Sequence, residues 1–280
     1  MSHTKQDDNI LVEEMSHIYR NETSSATRIA GLKLRTYPSE KGVPSIEQLQ
    51  NIIDVNKNIN NPTTVICSEN THNYHGGAII KPEILKDIKQ IADKNELNFH
   101  LDGARIYNAA IGLDIDVKEL TKHVDSVMFC ISKGLSCPVG SLVAGSKSFV
   151  SEARKYRKMV GGGMRQAGII ASFGLVALEP VWINRLKEDH KNAKTLAEGI
   201  EMYELPIEIS NPDTNIVIIT VPQDTRIGKV VRSLGSEGVL AFNIDKQKIR
   251  FVTHYGISED DIEYSIMKIG LVLNKLLVSK

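Results

Sequence analysis

PEILKDIKQIADKNELNFHLDGAR, residues 82–105, reads as a helix followed at once by a strand. Pro82 opens the helix at its first turn, where a missing N–H costs nothing. Ile84, Leu85, Ile88, Ile91 and Ala92 recur at offsets that make one apolar face. Residues 97–101 are the strand, which stops at Asp102-Gly103. Upstream, residues 64–67 read as a buried strand. Downstream come a short helix over 105–113 and strands over 126–131 and 141–144. Alternation of this kind needs crossover connections, so it predicts a mostly parallel sheet with helices on both faces.

Working outward, residues 9–12 and 32–36 read as further strands and 45–55 as a helix. Residues 56–62 are Asn-rich and read as a loop, and residues 1–8 as disordered. Two long helices are predicted over 165–178 and 181–202. Beyond Pro206 the character changes, with strands predicted over 215–221, 239–242 and 248–252. Ser258 with Asp261 resembles a capping signal. Ile262, Ile266, Ile269, Leu273 and Leu276 then stripe a last helix. The expectation is a large α/β domain over residues 1–179 and a small α+β domain over 180–280.

Composition narrows the function. Lys plus Arg and Asp plus Glu both number 34, so the formal charge is +0. A nucleic-acid or anionic-membrane partner would show as a basic excess. The basic run Arg154, Lys155, Arg157 and Lys158 reads as a solvated helix face. No apolar run reaches the roughly 20 residues of a bilayer span. Residues 127–145 come nearest and are interrupted by Lys133, Gly134 and Pro138. The polar, acidic start is unlike a signal peptide. Cys67, Cys130 and Cys137 are too few for a disulfide framework and lack zinc spacing, so no metal is expected. A reducing, cytoplasmic setting is the simplest expectation.

Three polar segments end apolar runs: Ser68 to Asn73, His100 to Arg105, and Ser132-Lys133-Gly134. In an open parallel sheet, ligands bind outside the carboxyl ends of the strands. Asp102 and Lys133 are 133 − 102 = 31 residues apart, the span of one crossover unit of about 30. A lysine and an aspartate facing one pocket suit pyridoxal phosphate, the lysine bonding its aldehyde and the aspartate its ring nitrogen. A helix-capping lysine and a turn-closing aspartate have the same spacing, and spacing alone favours that plainer reading.

The surrounding motifs resemble the low-specificity L-threonine aldolases. They are Glu69-Asn70-Thr71-His72-Asn73, His100-Leu101-Asp102-Gly103-Ala104-Arg105, Ser132-Lys133-Gly134-Leu135 with Pro138 to Ser141, Gly161 to Gln166, and Leu186 to Ala193. They occur in family order from about Asp8 to the C-terminus. The resemblance implies the fold of the aspartate-aminotransferase-like, fold-type-I pyridoxal-phosphate enzymes. It also implies cleavage of L-threonine or L-allo-threonine to glycine and acetaldehyde by a homotetramer.

Carried over by motif, Lys133 is the lysine that bears the coenzyme, with Ser132 beside it, and Asp102 pairs with the ring nitrogen. His17 stacks on the ring, and His72 lies near the substrate hydroxyl as the base or the group that orients it. Arg105 and Arg250 take the substrate carboxylate, a task suited to a planar fork. Each has a plainer counterpart: a surface His17, a His72 bonded to its own loop, an Arg250 paired with a neighbouring carboxylate. His123 and His190 read as structural. The resemblance also implies a preceding segment with a Ser/Thr-Gly-Thr loop that cradles the phosphate at a helix start. No stretch here matches it, Ser24 to Thr27 included, so the large domain is expected to be N-terminally truncated. A related lyase or aminotransferase, or a non-catalytic member acting through oligomerisation, are the alternatives.

Overall fold

The computed structural model describes residues 1–57 and 61–278. The predicted loop at 56–62 therefore lies partly outside the described residues. The chain divides into two compact units: residues 1–73 with 79–183, and residues 74–78 with 184 onward.

The first unit is built on a six-stranded sheet. Its strands are β1 (Asn9–Glu13), β2 (Lys33–Tyr37), β3 (Thr63–Glu69), β4 (Asn98–Asp102), β5 (Ser126–Cys130) and β6 (Ser141–Gly145), in the order β2-β1-β3-β4-β5-β6. The first five run parallel and β6 is antiparallel to β5. Parallel strands are buried on both faces, which is why 64–67 reads as one apolar run. On one face Leu11, Ile66, Phe99, Leu101 and Val127 meet helices α2 (Ile46–Asn56), α3 (Pro82–Lys94) and α4 (Ile106–Leu113). Each fully buried aliphatic side chain there contributes about 1.5–3 kcal/mol. Ile10, Val12, Val65 and Cys67 pack on the other face with Leu32.

Helix α1 (His17–Ser24) follows β1 and was not anticipated. It buries none of its residues. Residues 1–8, expected to be disordered, are folded against the sheet. His3 stacks on Phe149 with ring centroids 4.5 Å apart, and its Nε2 lies 2.7 Å from Ser126 Oγ. Local side-chain bonds such as Lys5 N–H to Asp8 Oδ2, at 2.8 Å, order this segment without any hydrophobic pattern.

The predicted helix over 165–178 is α7 (Gly168–Ala177), preceded by a short α5 (Val117–Thr121) and by α6 (Lys147–Met159), whose basic run is exposed. Edge strand β6 is exposed along its whole length, Leu142 and Val143 included. Met159, Met164, Ile169, Leu175 and Val176 are likewise exposed. Among the described residues no single helix is long and apolar enough to cross a membrane.

The second unit holds the four-stranded antiparallel sheet that contains β7 (Ile216–Thr220) and β8 (Lys248–Val252). Helices α8 (Leu186–Glu201), α9 (Ile227–Ser236) and α10 (Glu259–Leu273) pack on it through Leu196, Ile200, Val230, Leu234, Ile262 and Ile269. The helix predicted over 181–202 is interrupted, a separate five-residue helix over Pro180–Asn184 preceding α8. Ser258 and Asp261 form the expected capping box of α10. The strand predicted at 239–242 shrinks to Phe242–Asn243.

Candidate active site

Because β1, β3, β4 and β5 are parallel, their carboxyl ends share one sheet edge. Glu13 ends β1, Glu69 ends β3, Asp102 ends β4, and Lys133 follows β5 by three residues. The register sets Glu69 beside Asp102 and Asp102 beside Met128.

Asp102 is buried at 6% exposure. Its Oδ1 accepts the Ala104 N–H at 3.1 Å, and Gly103 N–H bonds Met128 O at 2.9 Å, which closes the turn onto β5. Gly103 is required there, since a Cβ would stand 2.9 Å from Met128 O and 3.0 Å from Val127 Cγ2. Burial, and then the neighbouring Glu69 carboxylate, push the Asp102 carboxyl up to about 6. The Ala104 N–H, the Lys133 ammonium and His17 act in the opposite sense. Lys133 and His17 therefore both stand within electrostatic reach of this carboxyl.

Lys133 sits in the tight turn after β5. Ile131 N–H bonds Gly140 O, Ser136 N–H bonds Lys133 O, and Cys137 N–H bonds Ile131 O, at 3.1, 2.9 and 2.9 Å. Ser136 and Gly140 take positive φ to make the bend. Lys133 is half-buried, and Ser132 is exposed with its hydroxyl 3.3 Å from Gly140 O.

His17 is the first residue of α1, whose cap is Ser16. The His17 N–H donates to Glu69 Oε2 at 2.6 Å. Its ring is half-exposed, with Nδ1 2.8 Å from Asn21 Nδ2 and Nε2 3.4 Å from Glu22 Oε1. Arg105 Nη1 donates to Asn73 Oδ1 at 3.4 Å, and the Asn73 N–H donates to Glu69 Oε1 at 2.8 Å.

His72 is seated differently from a group facing solvent. Its ring is wholly buried, with Nε2 2.9 Å from Glu13 Oε2 and Gly42 packed so closely that a Cβ there would lie 2.7 Å from the ring. Arg250 belongs to the second unit, on β8 opposite Ile218 of β7. Burial lowers its guanidinium pKa and Tyr74 opposes that.

The structure thus gathers Asp102, Lys133, His17 and Arg105 on the carboxyl edge of the first unit, with His72 behind them. Sequence reasoning assigned no role to Glu13 or Glu69. The signal available was the recurrence of a glutamate at the end of an apolar run, in Val12-Glu13 and Ser68-Glu69.

The donor set fits pyridoxal phosphate. A buried carboxylate that accepts one main-chain N–H at 3.1 Å retains lone pairs for a cationic N–H. Among the described residues no carboxylate lies within ion-pair distance of the Lys133 amine, and nearby Asp102 keeps its surroundings negative.

The beta-eliminating lyase family model matches residues 1–224. The chain is 35% identical over 263 residues to a low-specificity L-threonine aldolase 1 of Arabidopsis thaliana, covering 92% of this chain and 73% of that protein. It is 31% identical over 266 residues to the low specificity L-threonine aldolase of Escherichia coli K12, covering 94% and 76%. The fold is similar to that of a Leishmania major threonine aldolase, with a TM-score of 0.78, 18% identity and coverage of 95% and 78%. It is also similar to a ureidoglycine-glyoxylate aminotransferase of Bacillus subtilis, with a TM-score of 0.69 and 17% identity over 98% and 76% of the chains.

Proposed function

The chain belongs to the beta-eliminating lyase family, and from that premise we propose that it cleaves L-threonine or L-allo-threonine to glycine and acetaldehyde with pyridoxal phosphate. The identity to threonine aldolases over nine-tenths of the chain supports this substrate over that of an aminotransferase. The observation that carries the chemistry is the buried Asp102 carboxylate with Lys133 and His17 beside it.

When bound, the coenzyme supplies an electron sink next to the amino group of the substrate. Lys133 would supply the amine that holds the coenzyme aldehyde, and Ser132 would offer a hydroxyl beside it. Asp102 would accept the ring N–H and keep it charged, a task that burial strengthens because the surroundings screen the pair little. His17 would cover the ring face. Arg105 would bind the substrate carboxylate as a planar donor, and Arg250 is the second arginine assigned to that group. The substrate hydroxyl proton must leave before the Cα–Cβ bond breaks. In this reading His72, whose Nε2 Glu13 holds, is the base that takes it or the group that orients that base. The bond electrons stay on the glycine fragment, which takes up a proton, so no oxidant or reductant is needed.

Oligomerisation, as a dimer or tetramer, is part of the same reading. Exposed strand β6 and the exposed Ile169, Leu175 and Val176 of α7 are an unpaired edge and an apolar face that a second copy would cover. The three free cysteines suit a cytoplasmic setting.

The test is an absorbance spectrum with added pyridoxal phosphate and an acetaldehyde assay on L-threonine and L-allo-threonine. The expected result is a coenzyme band and acetaldehyde release, both lost in Lys133→Ala. A band that survives Lys133→Ala would overturn the assignment of the lysine. Ammonia and a keto acid in place of acetaldehyde would overturn the reaction.

A further inference from the structure

Glu69 is 4% exposed, and its two oxygens accept main-chain N–H groups from different segments. Oε2 takes the N–H of His17 at the start of α1, at 2.6 Å. Oε1 takes the N–H of Asn73, at 2.8 Å. Among the described residues no Lys or Arg lies within 4.0 Å of it, and its neighbour in the sheet register is another acid, Asp102. A buried carboxylate beside a second one is costly. A glutamine of the same shape would avoid that cost but could accept only one of the two N–H groups, its other arm being a donor. Keeping the acid makes sense where both ties matter. One tie sets where α1 begins, and so where the His17 ring stands. The other sets Asn73, whose Oδ1 receives Arg105 Nη1 at 3.4 Å.

We propose that Glu69 is a positioning residue of the amino-acid site, holding His17 and, through Asn73, Arg105 in place around Asp102. The inference rests on the reading given under Proposed function. Outer groups of this kind act by orientation, and a displacement of about 1 Å in a site can cost about 100-fold in rate.

The experiment compares the parent chain with Glu69→Gln, Asn73→Ala and the double variant. In 15N-labelled, coenzyme-free protein, the low-field amide protons of His17 and Asn73 report the two ties directly. Glu69→Gln is expected to move at least one of them upfield. With coenzyme and L-threonine, Glu69→Gln and Asn73→Ala are each expected to raise KM about 10-fold or more, with a smaller change in kcat. A purely structural defect would instead lower the active fraction, and hence kcat, at constant KM. Where Glu69→Gln moves the Asn73 amide it breaks the same path to Arg105 that Asn73→Ala breaks, and the double variant should then lose no more than the worse single one. A Glu69→Gln protein with parental amide shifts and KM, or losses that multiply in the double variant although Glu69→Gln has moved the Asn73 amide, would overturn the proposal. If Glu69→Gln does not fold, Asn73→Ala decides, and an unchanged KM rejects the link. A parent chain with the expected amide shifts but no acetaldehyde release would reject the reaction and not the placement of Glu69.

Discussion

His72 Nε2 lies 2.9 Å from Glu13 Oε2, and both side chains are sealed from solvent. Glu13 is more than a partner for the imidazole. Its Oε2 also accepts the Met15 N–H at 2.7 Å, and its Oε1 accepts the Ser39 hydroxyl at 2.8 Å. One carboxylate therefore ties the end of β1 to Met15, to Ser39 and to the loop that carries His72. Buried groups of this kind are costly when half satisfied.

Glu13→Ala is accordingly expected to destabilise the fold by about 3 kcal/mol or more, since it strands several buried polar groups at about 1–3 kcal/mol each. Urea unfolding checks this through a lowered midpoint at constant slope. A loss under about 1 kcal/mol would show that the carboxylate does not anchor this corner.

The burial of Asp102 costs stability at neutral pH. Its carboxyl is pushed from the usual 3.8 up to about 6, by burial first and then by Glu69. The folded state therefore holds a proton that the unfolded chain has released between about pH 4 and 6. That contribution is fully present below pH 4 and is lost as pH rises through about 6. At neutral pH the ionised Asp102 then costs up to about 3 kcal/mol. Asp102→Asn is expected to make the coenzyme-free protein more stable than the parent by about 1–3 kcal/mol at pH 7.5. The gain should vanish below pH 4. Thermal unfolding across this range tests it, and a variant less stable than the parent at pH 7.5 would contradict it.

His100 works in the same window with the opposite sign. Burial, with His3 as a like neighbour, pushes its pKa down to about 4, and its Nδ1 lies 2.7 Å from Ser126 Oγ. Below about pH 6.5 the unfolded chain takes up a proton that the fold refuses, so this stability is present above 6.5 and is lost as pH falls toward 4. His100→Gln keeps a polar partner for Ser126 and has no proton to take up. Its unfolding temperature should fall less steeply than the parent's between pH 6.5 and 4.5. Parallel slopes would mean that His100 is not a source of the acid sensitivity.

The legible parts of the fold were those where one physical effect dominates. Strand β3 is buried on both faces and carries a continuous apolar run, and the polar ends of β3, β4 and β5, Glu69, Asp102 and Ser132-Lys133, mark the candidate site edge. Helices α3 and α10 show their buried stripes and start signals. Helix α1 was invisible because HIYRNETS buries nothing. Its start is set by the Ser16 cap and by Glu69, more than 50 residues away. The motif match marked His72 but not that Glu13 holds it, because a pair 59 residues apart has no local pattern. The order of residues 1–8 was hidden for the same reason, since it rests on single polar contacts such as that of His3 with Ser126.

Gly103 offers the most direct test that the turn after β4 determines the site. Its backbone φ is not positive, so alanine is conformationally allowed and only space forbids it. The added methyl would meet Met128 O at 2.9 Å, Val127 Cγ2 at 3.0 Å and Ile106 Cβ at 3.1 Å. The first is backbone of the neighbouring strand and cannot swing aside. Gly103→Ala should therefore part β4 from β5, destabilise by about 1–3 kcal/mol and move Asp102, the adjacent residue. Gly235, exposed in α9 with nothing within 4 Å of an added Cβ, is the control. Gly235→Ala should be neutral or stabilising by up to about 1 kcal/mol through helix propensity. The measurements are unfolding free energy and affinity for pyridoxal phosphate. Gly103→Ala is expected to lose coenzyme affinity at a temperature where it is still fully folded, and Gly235→Ala to keep it. A folded Gly103→Ala protein with parental coenzyme affinity would show that Asp102 does not depend on this turn.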